Sequence, residues 1–78
     1  QEILLFPNPA VNGKTTVSGL EGTNTVSLYN VLGQLVSSQI VTTESVEINL
    51  SNQPSGNYLI KITNNYNQTK TLKFLNQN

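Results

Sequence analysis

Side chains able to do covalent or acid–base chemistry are scarce in this 78-residue sequence, which has no His and no Cys. Arg and Asp are missing as well. The basic groups are Lys14, Lys61, Lys70 and Lys73, and the acidic groups are Glu2, Glu21, Glu44 and Glu47. A nucleophilic Ser or Thr needs a base beside it, and only Glu or Lys is left to serve. Glu44 and Glu47 fall near one strand start, but their parity puts them on opposite faces of an extended chain. Calcium needs clustered carboxylates and zinc needs Cys or His. The residues therefore predict no catalytic group, no metal and no cofactor. A carbohydrate platform would need outward rings, from Tyr29, Tyr58, Tyr66 or Phe6. Tyr66 is the best exposed candidate, in the polar stretch 64–68, and its alternative is to lie against the body of the domain.

The elements that must position these groups are short. A chain of this length makes one domain with one thin core and modest stability, on the order of 4–12 kcal/mol. With zero formal charge, it lacks the basic stripe that phosphate backbones require and the polybasic patch of a membrane anchor. No apolar run approaches the roughly 20 residues of a membrane-spanning helix. The first residues lack the basic start and apolar stretch of a signal peptide, and no Met begins the chain. The expectation is a single domain, residues 1–78, excised from a larger protein. Asn, Gln, Ser and Thr supply most of the polar surface, so recognition would work by shape and hydrogen bonds.

Helical periodicity is absent. Alternating runs separated by Gly, Pro and Asn clusters predict strands. The first covers 3–6 and is expected to end at Pro7-Asn8-Pro9, because Pro donates no hydrogen bond. Asn12-Gly13 turns the chain into a second strand, 14–18, which buries Val17 and shows Thr to water. A third, 25–30, points Val26 and Leu28 inward, with Ser27 outward and Tyr29 facing an edge or second surface. Gly33 sits in a tight turn that Asn30 can cap through its amide. The fourth strand, 34–41, contains adjacent Leu35-Val36, which predicts a bulge or a change of facing.

The fifth strand, 45–50, has the cleanest alternation, with Val46, Ile48 and Leu50 in. Residues 53–56 suit a type I turn. The sixth, 57–63, points Tyr58, Ile60 and Ile62 to one face. Tyr58 lies just past a corner, where sandwiches place a Tyr whose hydroxyl bonds back to the upstream backbone. The seventh, 69–75, buries Leu72 and Phe74 and is a candidate edge strand guarded by Lys70 and Lys73. Together these predict an all-β, seven-stranded, immunoglobulin-like two-sheet sandwich, with no internal repeat.

Five segments follow one another along the chain: Phe6-Pro7-Asn8-Pro9, then Leu28-Tyr29-Asn30-Val31-Leu32-Gly33-Gln34-Leu35-Val36, Ile48-Asn49-Leu50-Ser51, Gly56-Asn57-Tyr58-Leu59-Ile60-Lys61-Ile62, and Thr69-Lys70-Thr71-Leu72-Lys73-Phe74. In this order and spacing the chain resembles the type A C-terminal sorting domain of type IX secretion, found in Bacteroidetes. The resemblance covers essentially the whole sequence. It implies a secretion signal domain that is carried on an N-terminal cargo domain and is not itself an enzyme. It implies as partners the outer-membrane translocon and a sortase-like cysteine peptidase that removes the domain. The route it implies runs through the periplasm to the cell surface or extracellular space. Pro7, Asn8, Pro9, Asn30, Gly33, Gln34, Gly56, Tyr58, Lys70 and Lys73 match the family's recurrent positions and are the candidate recognition residues. The chain departs from the pattern at Gln53, where an apolar residue is usual, and at its end, which continues Leu75-Asn76-Gln77-Asn78. A carbohydrate-binding or adhesive module and a passive spacer of a surface protein are the alternative readings.

Overall fold

The computed structural model describes residues 2–77; Gln1 and Asn78 lie outside them. Seven strands form: β1 (Leu4–Val11), β2 (Lys14–Ser18), β3 (Asn24–Asn30), β4 (Leu35–Val41), β5 (Val46–Asn49), β6 (Gly56–Asn64) and β7 (Thr69–Gln77). Their ladder runs β4-β3-β6-β7-β1-β2-β5. All neighbours are antiparallel except β1 and β7. The period-two residues Val26, Leu28, Ile48, Tyr58, Ile60, Ile62 and Phe74 point into one core with Ala10, Val17, Leu20, Val41 and Leu50. This all-β sandwich agrees with the immunoglobulin-like expectation.

β1 closes the two layers. Its first half pairs with β2 (Leu5↔Val17, Phe6↔Thr16), and its end pairs with β7 (Ala10↔Asn76, Val11↔Gln77). Between Phe6↔Thr16 and Val11↔Lys14, residues 7–10 of β1 face only Thr15 of β2. The excess lets the strand leave one layer for the other. This corrects the expectation that the strand ends at Pro7. Proline lacks a donor, which matters only where a ladder needs one, and here the ladder is interrupted. Both Phe6-Pro7 and Asn8-Pro9 are cis. Thr15 Oγ1 donates to the Pro7 carbonyl at 2.8 Å, so Thr15 is buried rather than turned to water as expected.

Other differences are local. Residues 51–56 do not close on Gln53–Gly56. The hydrogen-bonded turn lies earlier, with Gln53 N donating to the Leu50 carbonyl at 2.9 Å, while Gly56 opens β6. β7 is an edge only over its first part, as expected of a strand carrying Lys70 and Lys73: β6 pairs along its length, and β1 joins it at Asn76 and Gln77. The bulge expected in β4 is present, because Leu28↔Ser37 is followed by Tyr29↔Leu35 and Val36 is left over. Asn12 and Gly13 have φ of 53° and 74°, the left-handed pair of a tight hairpin turn. Gly19 has φ 84° and lies so close to Glu2 that a Cβ there would collide with the Glu2 carbonyl.

Candidate functional site

One end of the sandwich gathers most of the candidate residues. The β3–β4 hairpin delivers the first group. Asn30 N donates to the Gln34 carbonyl and Gly33 N to the Asn30 carbonyl, each at 3.0 Å. The Asn30 side chain organises the rest of the turn. Its Oδ1 accepts from Leu32 N and Gln34 N, both at 3.0 Å, and its Nδ2 donates to Gln34 Oε1 at 2.8 Å. Gly33 takes φ 81°, a region that costs most L-residues about 1–2 kcal/mol. Asn30, Gly33 and Gln34 therefore make one rigid turn, as the amide-cap expectation holds. Val31 and Leu32 project from it, 73% and 79% exposed.

The second group comes from the corner before β6. Asn30 is the register partner of Tyr58, which places this corner beside the hairpin. The Tyr58 hydroxyl donates to the Pro54 carbonyl at 2.7 Å, the upstream bond expected of a corner Tyr. The Tyr58 ring stacks on Phe74 at a centroid distance of 6.0 Å. Asn76 Nδ2 reaches the same Pro54 carbonyl at 3.2 Å. A shallow groove results, with Asn30, Val31 and Leu32 on one wall and Pro54, Gly56 and Tyr58 on the other. Gln53 lines it too. At this position the fold uses the main chain, whose N–H bonds to Leu50, so a polar side chain is tolerated.

A second groove continues around Val31, past Asn57, Tyr58 and Leu59 to Lys73. Asn8 belongs to the same end. Its Oδ1 accepts from Leu75 N at 3.1 Å, and Leu75 is the register partner of Asn57. Pro7, Asn8 and Pro9 are exposed in β1. Lys70 does not join the cluster. It lies at the opposite end with Ile3, Asn24 and Asn64, and β7 turns Lys70 and Lys73 to opposite faces because they are three residues apart.

The arrangement can present shape and backbone, and its chemistry is that of hydrogen bonds and apolar contact. Among the described residues, no three acidic, His or Cys side chains come together. Tyr66 stands 77% exposed at the far end, rather than lying against the body.

One module escaped the sequence reading. Asn64 repeats the Asn30 turn: its Oδ1 accepts from Tyr66 N at 2.9 Å and Gln68 N at 3.0 Å, and its Nδ2 donates to Gln68 Oε1 at 2.8 Å. Asn67, at φ 63°, takes the place of Gly33. The signal was present as Asn and Gln four apart, with a residue tolerant of positive φ before the Gln. Asn76 was missed as well. It is fully buried in the last strand, with its Oδ1 unpartnered.

Comparison with known proteins gives three findings. The family described as the secretion system C-terminal sorting domain matches residues 4–77. Ulvan lyase NLR42 of Nonlabens ulvanivorans is 35% identical over 72 residues, which is 91% of this chain and 14% of that protein's length. The chain thus spans a small part of that relative. The fold is similar to part of the solved structure of PorZ, described as an essential bacterial surface component of the type-IX secretion system of Porphyromonas gingivalis. That match has a TM-score of 0.84 and 19% identity, and covers 97% of this chain and 11% of the other. At that identity the likeness concerns the fold.

Proposed function

The chain belongs to the secretion system C-terminal sorting domain family, the type IX signal that exports attached cargo to the cell surface or extracellular space, and from that premise we propose that the grooved end of the sandwich is what the outer-membrane translocon reads. The cargo precedes the domain in the same polypeptide and folds apart from it. The pair crosses the periplasm before export. A sortase-like peptidase removes the domain afterwards. The domain itself is not an enzyme; it acts as a rigid shape that loses little entropy when bound.

The observation that carries the reading is the convergence of four distant segments. Asn30, Gly56 and Tyr58 line one groove, Lys73 lines its continuation, and Asn8 is tied to the same end. Pro7 and Pro9 act on this surface by steering β1 between layers, and Gly33 and Gln34 by holding Val31 and Leu32 in place. Lys70, at the other end, has no part in it.

The test is transplantation. Residues 1–78 fused to a periplasmic reporter in a type IX-competent host should carry the reporter to the surface or medium. Periplasmic retention with the domain intact would overturn the reading. Export of the natural parent unchanged after deletion of the domain would make it a passive spacer.

A further inference from the structure

Among the described residues the strands leave four backbone flanks without a neighbour, and three of them are short or charged; the first is β1 at Leu4–Phe6, three residues paired with β2 alone. β5, at one end of the ladder, is four residues long, with Glu47 exposed on it and Glu44 just before it. β7 has a second neighbour only at Asn76 and Gln77, and its open part carries the exposed Lys70 and Lys73. Short length and charge are the devices that keep sheet edges from pairing with other chains. β4, at the other end of the ladder, has neither. It is seven residues long and uncharged. No charged residue occurs anywhere between Glu21 and Glu44. On this hairpin Val31, Leu32, Leu35 and Ile40 are 58–79% exposed. The bulge at Val36 protects only the start of the strand, and residues 37–41 continue in regular register with β3.

We propose that β4 pairs with β4 of a second copy of this chain, antiparallel about a two-fold axis at Gln39. A second copy is the occupant whose chemistry the chain itself supplies: an uncharged strand with one free flank and exposed apolar side chains. A two-fold contact needs only one self-complementary patch. With zero formal charge, no net repulsion opposes the approach. Centring on Gln39 uses all of residues 37–41 and leaves the bulge outside. Ser38 then faces Ile40 of the second copy, and the two Ile40 side chains become diagonal neighbours on the outer face. The β4-β3-β6-β7 layers of the two copies join into one sheet. A contact built on one short strand falls at the low end of specific interfaces, about 1,200 Å² or less, so association is weak and rises with concentration. The inference is independent of the export reading.

Sedimentation of the 78-residue chain over a concentration series tests it, and a reversible monomer–dimer equilibrium is expected. Ile40→Lys places like charges close together across the seam and should weaken association about tenfold or more, a change of about 1.4 kcal/mol per factor of ten, while Glu47→Gln on the other edge leaves it unchanged. Thermal melts confirm that both variants fold. Because the chain has no Cys, Gln39→Cys reports the axis directly. Paired Cα atoms about 4.5–5.5 Å apart lie within disulfide reach, so this variant should oxidise to a covalent dimer much faster than Thr71→Cys. A monomer at every concentration, a dimer indifferent to Ile40→Lys, or equal cross-linking at position 71 would each overturn the proposal.

Discussion

The Asn8 side chain accepts a hydrogen bond from Leu75 N at 3.1 Å, joining residues 67 positions apart. β1 reaches β7 as a strand only two positions later, at Ala10. Asn8 therefore substitutes for a strand neighbour where the Pro-Asn-Pro excess holds the backbones apart. Asn8→Ala should cost about 0.5–1.5 kcal/mol, the usual worth of one net hydrogen bond. Asn8→Asp keeps an acceptor oxygen and should lie closer to wild type. Urea denaturation at constant m-value measures both.

Tyr58 and Asn76 share one acceptor, the Pro54 carbonyl. Removing either donor leaves the carbonyl with the other. Tyr58→Phe and Asn76→Ala should each destabilise by roughly 1–3 kcal/mol. The double variant orphans the carbonyl, so its cost should exceed the sum by about 0.5–1 kcal/mol. Strict additivity in a double-mutant cycle would show that the two bonds are energetically separate.

The Asn30 and Asn64 turns make a prediction by exchange. Asn67 holds in the second turn the left-handed conformation that Gly33 holds in the first. Gly33→Asn should thus stay within about 0.5 kcal/mol of wild type, the range of surface changes that break nothing. Gly33→Ala should cost about 1 kcal/mol or more. Asn30→Ala and Asn64→Ala each remove an acceptor for two N–H groups and should destabilise similarly, by about 1–2 kcal/mol. Chemical denaturation of the four variants checks the set.

What was legible in the sequence was local. Alternation at Val26/Leu28, Val46/Ile48/Leu50 and Tyr58/Ile60/Ile62 fixed the inward faces, because side-chain direction in a strand depends only on parity. The Asn30 cap and the Tyr58–Pro54 bond span four residues each, so their chemistry could be read from neighbours. What stayed hidden was non-local. The rule that Pro ends a strand is sound for an uninterrupted ladder. Only the pairing of Ala10 with Asn76 shows why residues 7–10 are exempt. Thr15 read as a solvent-facing polar residue, since its acceptor, the Pro7 carbonyl, is brought near by the crossing of β1. The same crossing places β1 beside β7 at Asn76 and Gln77. The grooved end was invisible for a related reason: Asn30, Tyr58 and Asn8 meet only through register.

Lys70 and Lys73 separate the grooved end from the rest of the surface. Both are exposed on β7, and neither is in the core. Lys73 lines the groove beside Val31, whereas Lys70 sits at the opposite end, near Asn64. Lys73→Glu and Lys70→Glu change charge equally and should each alter stability by no more than about 0.5 kcal/mol. If the translocon reads the grooved end, Lys73→Glu lowers export of a fused reporter several-fold and Lys70→Glu leaves it near wild type. Leu32→Asn, which removes an exposed apolar tip from the turn, should fall with Lys73→Glu. Quantifying reporter in the medium against reporter in the periplasm distinguishes the outcomes. Equal loss from both Lys variants would point to the net charge of β7 rather than to the groove, because charge alone is what the two substitutions have in common.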